Sequence, residues 1–267
     1  ALLIKGRWKE AATAADRQIA LQPGHTVALA LKSVALQELG EMKTWEQLVN
    51  FEDLIECFKI DVPHGYNDLD SFNRALAEFC QKHPSLVYAP EGKSTELGFQ
   101  TESFNQEENS PVFDLLQAVK KSTDLYLSKR PISVDHPFLS QRPKKWRHDI
   151  WATVLESGGH QGSHIHRDGW LSGVYYVQTP KIINSQLDST DTDGWIEFGR
   201  PVIYPKAEAI PLTKRYPPME GCLYLFPSYF YHRTIPFLSD TRRISIAFDL
   251  IDGPIKRQAQ FIDYVDG

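Results

Sequence analysis

Cysteine is scarce in this chain: three in 267 residues, Cys57, Cys80 and Cys222, far apart and with no CxxC pair. That excludes a disulfide framework and a thiolate zinc site, and it places the chain in a reducing compartment, which we take to be the cytoplasm. Positive charge is not in excess either. A formal net charge of −5 argues against a general nucleic-acid binder, which needs a basic surface. No apolar run approaches the length that spans a bilayer, so no membrane partner is expected. The first residues, Ala1 to Trp8, lack the charged start and long apolar core of a signal peptide, and they do not begin with Met, so residue 1 is not read as the native start. What remains, 42% hydrophobic and 24% charged, is the composition of a folded globular chain.

The N-terminal stretch reads as paired amphipathic helices. Ala11, Ala12, Ala15, Ala20 and Leu21 lead to Pro23-Gly24, which ends the first helix because proline cannot continue the hydrogen-bond ladder. A second run from about Thr26 to Leu39 ends at Gly40. Gly6 and Gly40 stand about 34 residues apart, the tetratricopeptide period, so residues 1–43 resemble one such repeat and the start of another. One repeat cannot bury its own face, so either more repeats precede it or the pair docks on the domain C-terminal to it; a plain helical hairpin is the simpler alternative. Helical patterns recur at Trp45–Phe58, Leu69–Lys82 and Val112–Leu127. Pro84, Pro90, Gly92 and Gly98 mark a looped stretch, and Arg130 to Pro143 reads as extended.

The last third changes character. Ile150–Leu155, Gly173–Val177, Trp195–Phe198, Gly221–Phe226 and Arg243–Leu250 are short β-branched or aromatic runs between Gly, Pro, Ser and Asp, the punctuation of a β-sandwich or barrel. Alternation places Trp195 and Glu197 on one face, Ile196 and Phe198 on the other. Pro201 to Pro218 is read as a loop over the barrel, and Arg142, Lys144, Lys145, Arg147 and His148 as a solvated basic face. Trp170 suits either the barrel core or its entrance.

Chemistry concentrates in two segments. The first runs Gly158-Gly159-His160-Gln161-Gly162-Ser163-His164-Ile165-His166-Arg167-Asp168 into Leu171-Ser172-Gly173-Val174-Tyr175-Tyr176-Val177. Residues i and i+2 of an extended chain point the same way, so H-x-H or H-x-D delivers two ligands to one point. Both registers are available, His164 with His166 or His166 with Asp168, and His160 reads as a loop residue. The second segment is Phe226-Pro227-Ser228-Tyr229-Phe230-Tyr231-His232, followed by Arg242-Arg243-Ile244-Ser245-Ile246-Ala247. A close histidine pair, a distant histidine and then an arginine suit a metal that wants three ligands on one octahedral face beside a guanidinium for a carboxylate.

In that order the motifs of residues 146–250 resemble the prolyl-hydroxylase-like iron(II)/2-oxoglutarate oxygenases, and most closely a bacterial and phage family with H-x-H…L-S-G-V-Y-Y-V, F-P-S…H and R-I-S-I. The resemblance implies an α+β chain: a helical segment (1–43), then an oxygenase domain (44–267) with a helical lead-in (44–145) and a double-stranded β-helix, or jelly-roll, core (146–252). It implies iron(II), 2-oxoglutarate and dioxygen as cofactors, with His164, His166 and His232 on the metal. Arg243, Tyr176 and Ser245 would then hold the cosubstrate, with Tyr175 and Arg242 turned away. His166 departs from the superfamily pattern, standing where most members carry aspartate. The implied reaction is hydroxylation of a protein or peptide side chain, or of a small molecule, with release of succinate and carbon dioxide. The repeat-like segment would bind a protein or continue a longer array. A cupin-like metal- or sugar-binding barrel without redox activity would use the same histidines without needing the arginine; an interaction protein whose repeat binds a partner and whose barrel is a relic is a third reading, against which the complete set His164, His166, His232 and Arg243 weighs.

Overall fold

The N-terminal residues form a hairpin of α1 (Trp8–Leu21) and α2 (Thr26–Glu38) in this computed structural model, which describes residues 1–104, 110–184, 191–202 and 204–253. Gly6, Gly24 and Gly40 occupy the turns with φ of 68°, 77° and 69°, backbone that side chains avoid. His25 caps α2, its Nδ1 accepting from the Ala28 N–H at 3.2 Å. The apolar side of α2 (Leu29, Ala30, Val34, Leu36) is buried in the same hydrophobic cluster as the strands of the C-terminal half. The Thr26 hydroxyl donates to the Gly169 carbonyl at 2.8 Å in a buried contact.

The helix expected over Trp45–Phe58 is three elements: α3 (Met42–Leu48), α4 (Phe51–Leu54) and strand β1 (Glu56–Lys59). Asn50 starts α4 anew by accepting from the Asp53 N–H, and β1 is drawn into strand geometry by pairing far downstream, Glu56 against Leu225. Helix α5 (Leu69–Lys82) falls where the pattern placed it, opened by a capping box of Asp68 and Ser71. The stretch read as looped contains β2 (Val87–Tyr88) and β3 (Thr95–Gln100). Gly98 is there for close approach, since a Cβ would lie 2.8 Å from the Val154 carbonyl oxygen. Helix α6 (Pro111–Lys129) begins at Ser110 with Pro111 in its first turn. One helical turn, α7 (Pro137–Ser140), interrupts the segment expected to be extended.

The remaining elements are β4 (Trp146–Gln161), β5 (Leu171–Gln178), α8 (Lys181–Asn184), β6 (Ile196–Phe198), β7 (Lys214–Tyr216), β8 (Cys222–Pro227), β9 (His232–Thr234) and β10 (Arg243–Asp252). They take in all five expected strands. His160 lies in β4 rather than a loop, its ring 3.5 Å from the Glu96 carboxylate. The Pro201–Pro218 segment contains β7; its Ile203, and the end of the 44–267 span from residue 254, lie outside the described residues. A seven-stranded antiparallel sheet in the order β1-β8-β5-β10-β4-β3-β2 faces a three-stranded sheet, β7-β6-β9. A bridge between His164 and His232 extends the smaller sheet. The result is a mixed helix-and-sheet fold with a two-sheet antiparallel core. Among the described residues no helix is long and apolar enough to cross a membrane.

Side chains divide between the faces as alternation requires. The Phe198 ring packs 4.8 Å from Phe226 and 5.9 Å from His232. Glu197 points the other way, fully buried beneath Arg200, Arg215 and Arg233, whose Nε atoms approach its carboxylate at 2.6 to 2.8 Å. Burial alone would raise its pKa, but the three guanidiniums outweigh that and hold the carboxyl below its usual range. Trp170 belongs to the core, its ring stacked 4.5 Å from Phe138. Cys80 and Cys222 are buried and Cys57 is exposed.

Gly173, in the middle of β5, sits so close to Phe248 and the Tyr224 carbonyl that a Cβ would overlap both. Gly173→Ala is therefore expected to destabilise the fold by about 1–3 kcal/mol, measured by denaturant unfolding. The basic cluster is not one solvated face either. Arg142 donates to the Leu127 carbonyl at 3.1 Å, and His148 turns a ring nitrogen into the protein with no hydrogen-bond partner. Burial, aided by Lys120, pushes the His148 pKa down from 6.5 to about 4. The unfolded chain then binds more protons between those values, so this contribution is complete above pH 6.5 and lost as pH falls toward 4. His148→Leu is expected to flatten that part of the acid sensitivity, read from urea unfolding at pH 7 and pH 4.5. An unchanged difference between the two pH values would refute it.

Candidate active site

Strand β4 ends at Gln161, and Gly162 turns the chain across to β9. His164 exchanges both backbone hydrogen bonds with His232, each at 3.0 Å, and the His166 N–H donates to the Ser228 carbonyl at 3.1 Å. This extended segment throws the rings of His164 and His166 to one side, where the ring of His232 meets them. A ring nitrogen from each lies within 4.8 Å of those of the other two, and the Nε2 atoms of His164 and His166 are 3.3 Å apart.

The opposite nitrogens explain this convergence. Nδ1 of His164 faces the Gly162 carbonyl at 2.8 Å, Nδ1 of His232 the Phe230 carbonyl at 2.9 Å, and Nδ1 of His166 the Asp249 carboxylate at 2.5 Å. These oxygens only accept, so each Nδ1 carries the proton and each Nε2 presents a lone pair. Burial, reinforced by the His166 ring, pushes the His164 pKa down to about 4; burial with both neighbouring rings takes that of His232 well below its ordinary value. Three ring nitrogens converge on one point, two of them 3.3 Å apart, the spacing of neighbouring ligands on one ion. The donor set therefore fits a divalent metal. Asp168 is exposed and stands outside the cluster, so the alternative His166–Asp168 pair is not assembled.

Farther along the same cavity stand Tyr176, Arg243 and Ser245. Arg243 opens β10 and is 2% exposed; its guanidinium lies 4.9 Å from the Tyr176 ring centroid and 3.5 Å from the Ser245 hydroxyl. Neither the Arg243 Nε nor the Tyr176 hydroxyl has a hydrogen-bond partner among the described residues. Burial raises the Tyr176 pKa to about 12 and lowers that of Arg243. A buried guanidinium without a carboxylate is costly, and together with an unpartnered phenol it is a ready receptor for one. The neighbours turn away as expected: the Tyr175 hydroxyl donates to Asn73 at 2.6 Å, and Arg242 pairs with Glu156 at 2.9 Å.

Above the histidines the cavity opens into a groove walled by Val27 and Leu31 of α2, with Trp151, Tyr204 and Tyr231 beside the metal-facing rings. Sequence reasoning missed these, and it missed Asp249 and Ser172 beneath His166. The available signal was weak: Asp249 shares the odd-numbered face of β10 with Arg243 and Ser245.

Residues 149–249 match the family model described as "Putative 2OG-Fe(II) oxygenase". The matched segment holds His164, His166, His232 and Arg243, and the match gives that segment the character of an iron(II)- and 2-oxoglutarate-dependent oxygenase, an oxidoreductase. In structure the chain is similar to a Pseudomonas putida prolyl-4-hydroxylase (14% identity, 77% of this chain and 96% of that one, TM-score 0.48). It is also similar to a Trichoplax adhaerens prolyl hydroxylase in complex with a hypoxia inducible factor peptide fragment (13%, 80% and 93%, 0.49). A third likeness is to the viral collagen prolyl hydroxylase of Paramecium Bursaria Chlorella virus-1 in its 2-oxoglutarate complex (12%, 75% and 97%, 0.47). No curated protein matches the chain.

Proposed function

We propose that the chain hydroxylates a substrate bound in the groove over His164, His166 and His232, with those three side chains holding iron(II) and Arg243, Tyr176 and Ser245 holding the far carboxylate of 2-oxoglutarate. The observation that carries this reading is one cavity with three converging imidazoles at one end and, at the other, a buried guanidinium whose Nε has no partner among the described residues. When bound, the iron and cosubstrate supply the oxidation: dioxygen converts 2-oxoglutarate to succinate and carbon dioxide and places one oxygen atom on the substrate.

The protein's own share is placement and exclusion of water. The Arg243 fork can take a carboxylate through two parallel hydrogen bonds while the Tyr176 hydroxyl donates a third. The backbone carbonyls of Gly162 and Phe230 keep two imidazoles in the tautomer that leaves Nε2 free. The aromatic walls of Phe198 and Phe226 against His232 shut solvent out from below. The groove is open enough to suit a protein or peptide side chain, and a chain lying in it would touch α2, giving the repeat-like hairpin a part in substrate contact. The scattered thiols suit a cytoplasmic setting.

The test is anaerobic titration of the protein with iron(II) and then 2-oxoglutarate. A visible metal-to-ligand charge-transfer band is expected in the wild type and not in Arg243→Ala. A wild type that shows no band would sink the assignment. Mass spectrometry of candidate peptides for a gain of one oxygen would then identify the substrate.

A further inference from the structure

With His164, His166 and His232 as its ligands the iron has three neutral donors, and the inference rests on that proposed assignment. We propose that Asp249 is a positioning residue that brings a carboxylate to the centre from behind His166. It fixes that ring through Nδ1–H and supplies the negative charge that a directly ligating aspartate would have supplied.

Four observations carry this. The contact is short, 2.5 Å, and both side chains are about nine-tenths buried, so the charge acts in a poorly screened setting. The other two imidazoles lean on backbone carbonyls; of the three, His166 alone is backed by a carboxylate. The Asp249 oxygen is itself held in place: the Ser172 hydroxyl donates to it at 2.6 Å and lies 2.7 Å from the Ser228 hydroxyl, while the Ser228 carbonyl receives the His166 N–H. Finally, Gly169 leaves room for the assembly, because a Cβ there would stand 2.5 Å from the Ser228 hydroxyl and 3.2 Å from the Asp249 carboxylate. A carboxylate on the outer nitrogen of a ligating imidazole orients the ring and raises its basicity, and losing such a partner costs roughly 10–100-fold in metal affinity.

Asp249→Asn keeps the shape of the side chain and one acceptor oxygen. Manganese(II) affinity, measured by electron paramagnetic resonance on the otherwise intact protein, is expected to fall by roughly 10–100-fold. The visible spectrum of the cobalt(II)-loaded protein should shift with it. Affinity within twofold of wild type, with an unmoved cobalt spectrum, would overturn the proposal. In the second arm, His166→Asp is added to Asp249→Asn, moving the carboxylate onto the metal. Recovery toward wild-type affinity is expected, and a double variant no tighter than Asp249→Asn would overturn the charge argument. Should Asp249→Asn not fold, Ser172→Ala, which strips one donor from the carboxylate, is expected to weaken manganese binding to a smaller degree, and unchanged affinity there would count against the proposal. The two readings fail separately. A wild type that takes up no manganese ends the metal assignment, whereas one that binds as tightly as Asp249→Asn ends only the role of Asp249.

Discussion

Arg243→Met is expected to abolish useful 2-oxoglutarate binding while raising the melting temperature of the ligand-free protein. The two effects share one cause. The guanidinium is buried beside Tyr176, its Nε has no partner among the described residues, and the Ser245 hydroxyl stands 3.5 Å from it. Holding a cation there without a counter-charge costs stability, which a methionine of similar length would return, by about 1–4 kcal/mol where buried charges have been replaced by apolar residues. A bound carboxylate repays that cost, and truncating one side of such a buried pair typically loses about 2–5 kcal/mol, or roughly 30- to several-thousand-fold in affinity. Arg243→Lys keeps the charge but not the planar fork and should fall between. Calorimetric titration with 2-oxoglutarate and thermal melts of the apo forms measure both halves. A Met variant that binds normally would show that the cosubstrate lies elsewhere.

His232→Ala should cost the most activity of any single change, bringing succinate release below detection. Its ring is buried at the centre of the cluster, and removing it leaves two ligands that cannot define a face. For the wild type, manganese(II) at about 100 times its dissociation constant should add about 2.7 kcal/mol to the unfolding free energy; His232→Ala should gain none. His164→Ala should behave alike, and combining the two should add little, since ligands of one ion act as a unit. Asp168→Ala, outside the cluster, serves as the control and should bind metal as the wild type does. Loss of metal there with retention in His164→Ala would reverse the choice of histidine pair.

What the sequence disclosed, it disclosed through local periodicity. The i, i+2 step at His164 and His166 needs only an extended backbone, and the alternation that separates Arg243 and Ser245 from Arg242 needs only a strand. Helix α5 was legible because its cap and its apolar face lie within one stretch of chain. The failures are tertiary. Glu56–Lys59 is a strand because β8 accepts it, and nothing in its own residues overrules the helical pattern before it. Gly98 looks like loop punctuation, but its role is the backbone of β4 pressed against it. Asp249 was invisible because its partner, His166, lies 83 residues away and only the fold joins them.

The bond from Thr26 to the Gly169 carbonyl bears on how this enzyme can be cut down for study. Gly169 is also the residue whose bare Cα makes space for Ser228 and Asp249, so the first turn of α2 grips the same short loop that seats the metal-side carboxylate. Trimming the chain at a boundary near residue 43 would release that grip and strip one wall from the groove. The smallest catalytically competent fragment should therefore begin upstream of α2, and a barrel expressed without the hairpin should bind metal loosely even with every ligand present.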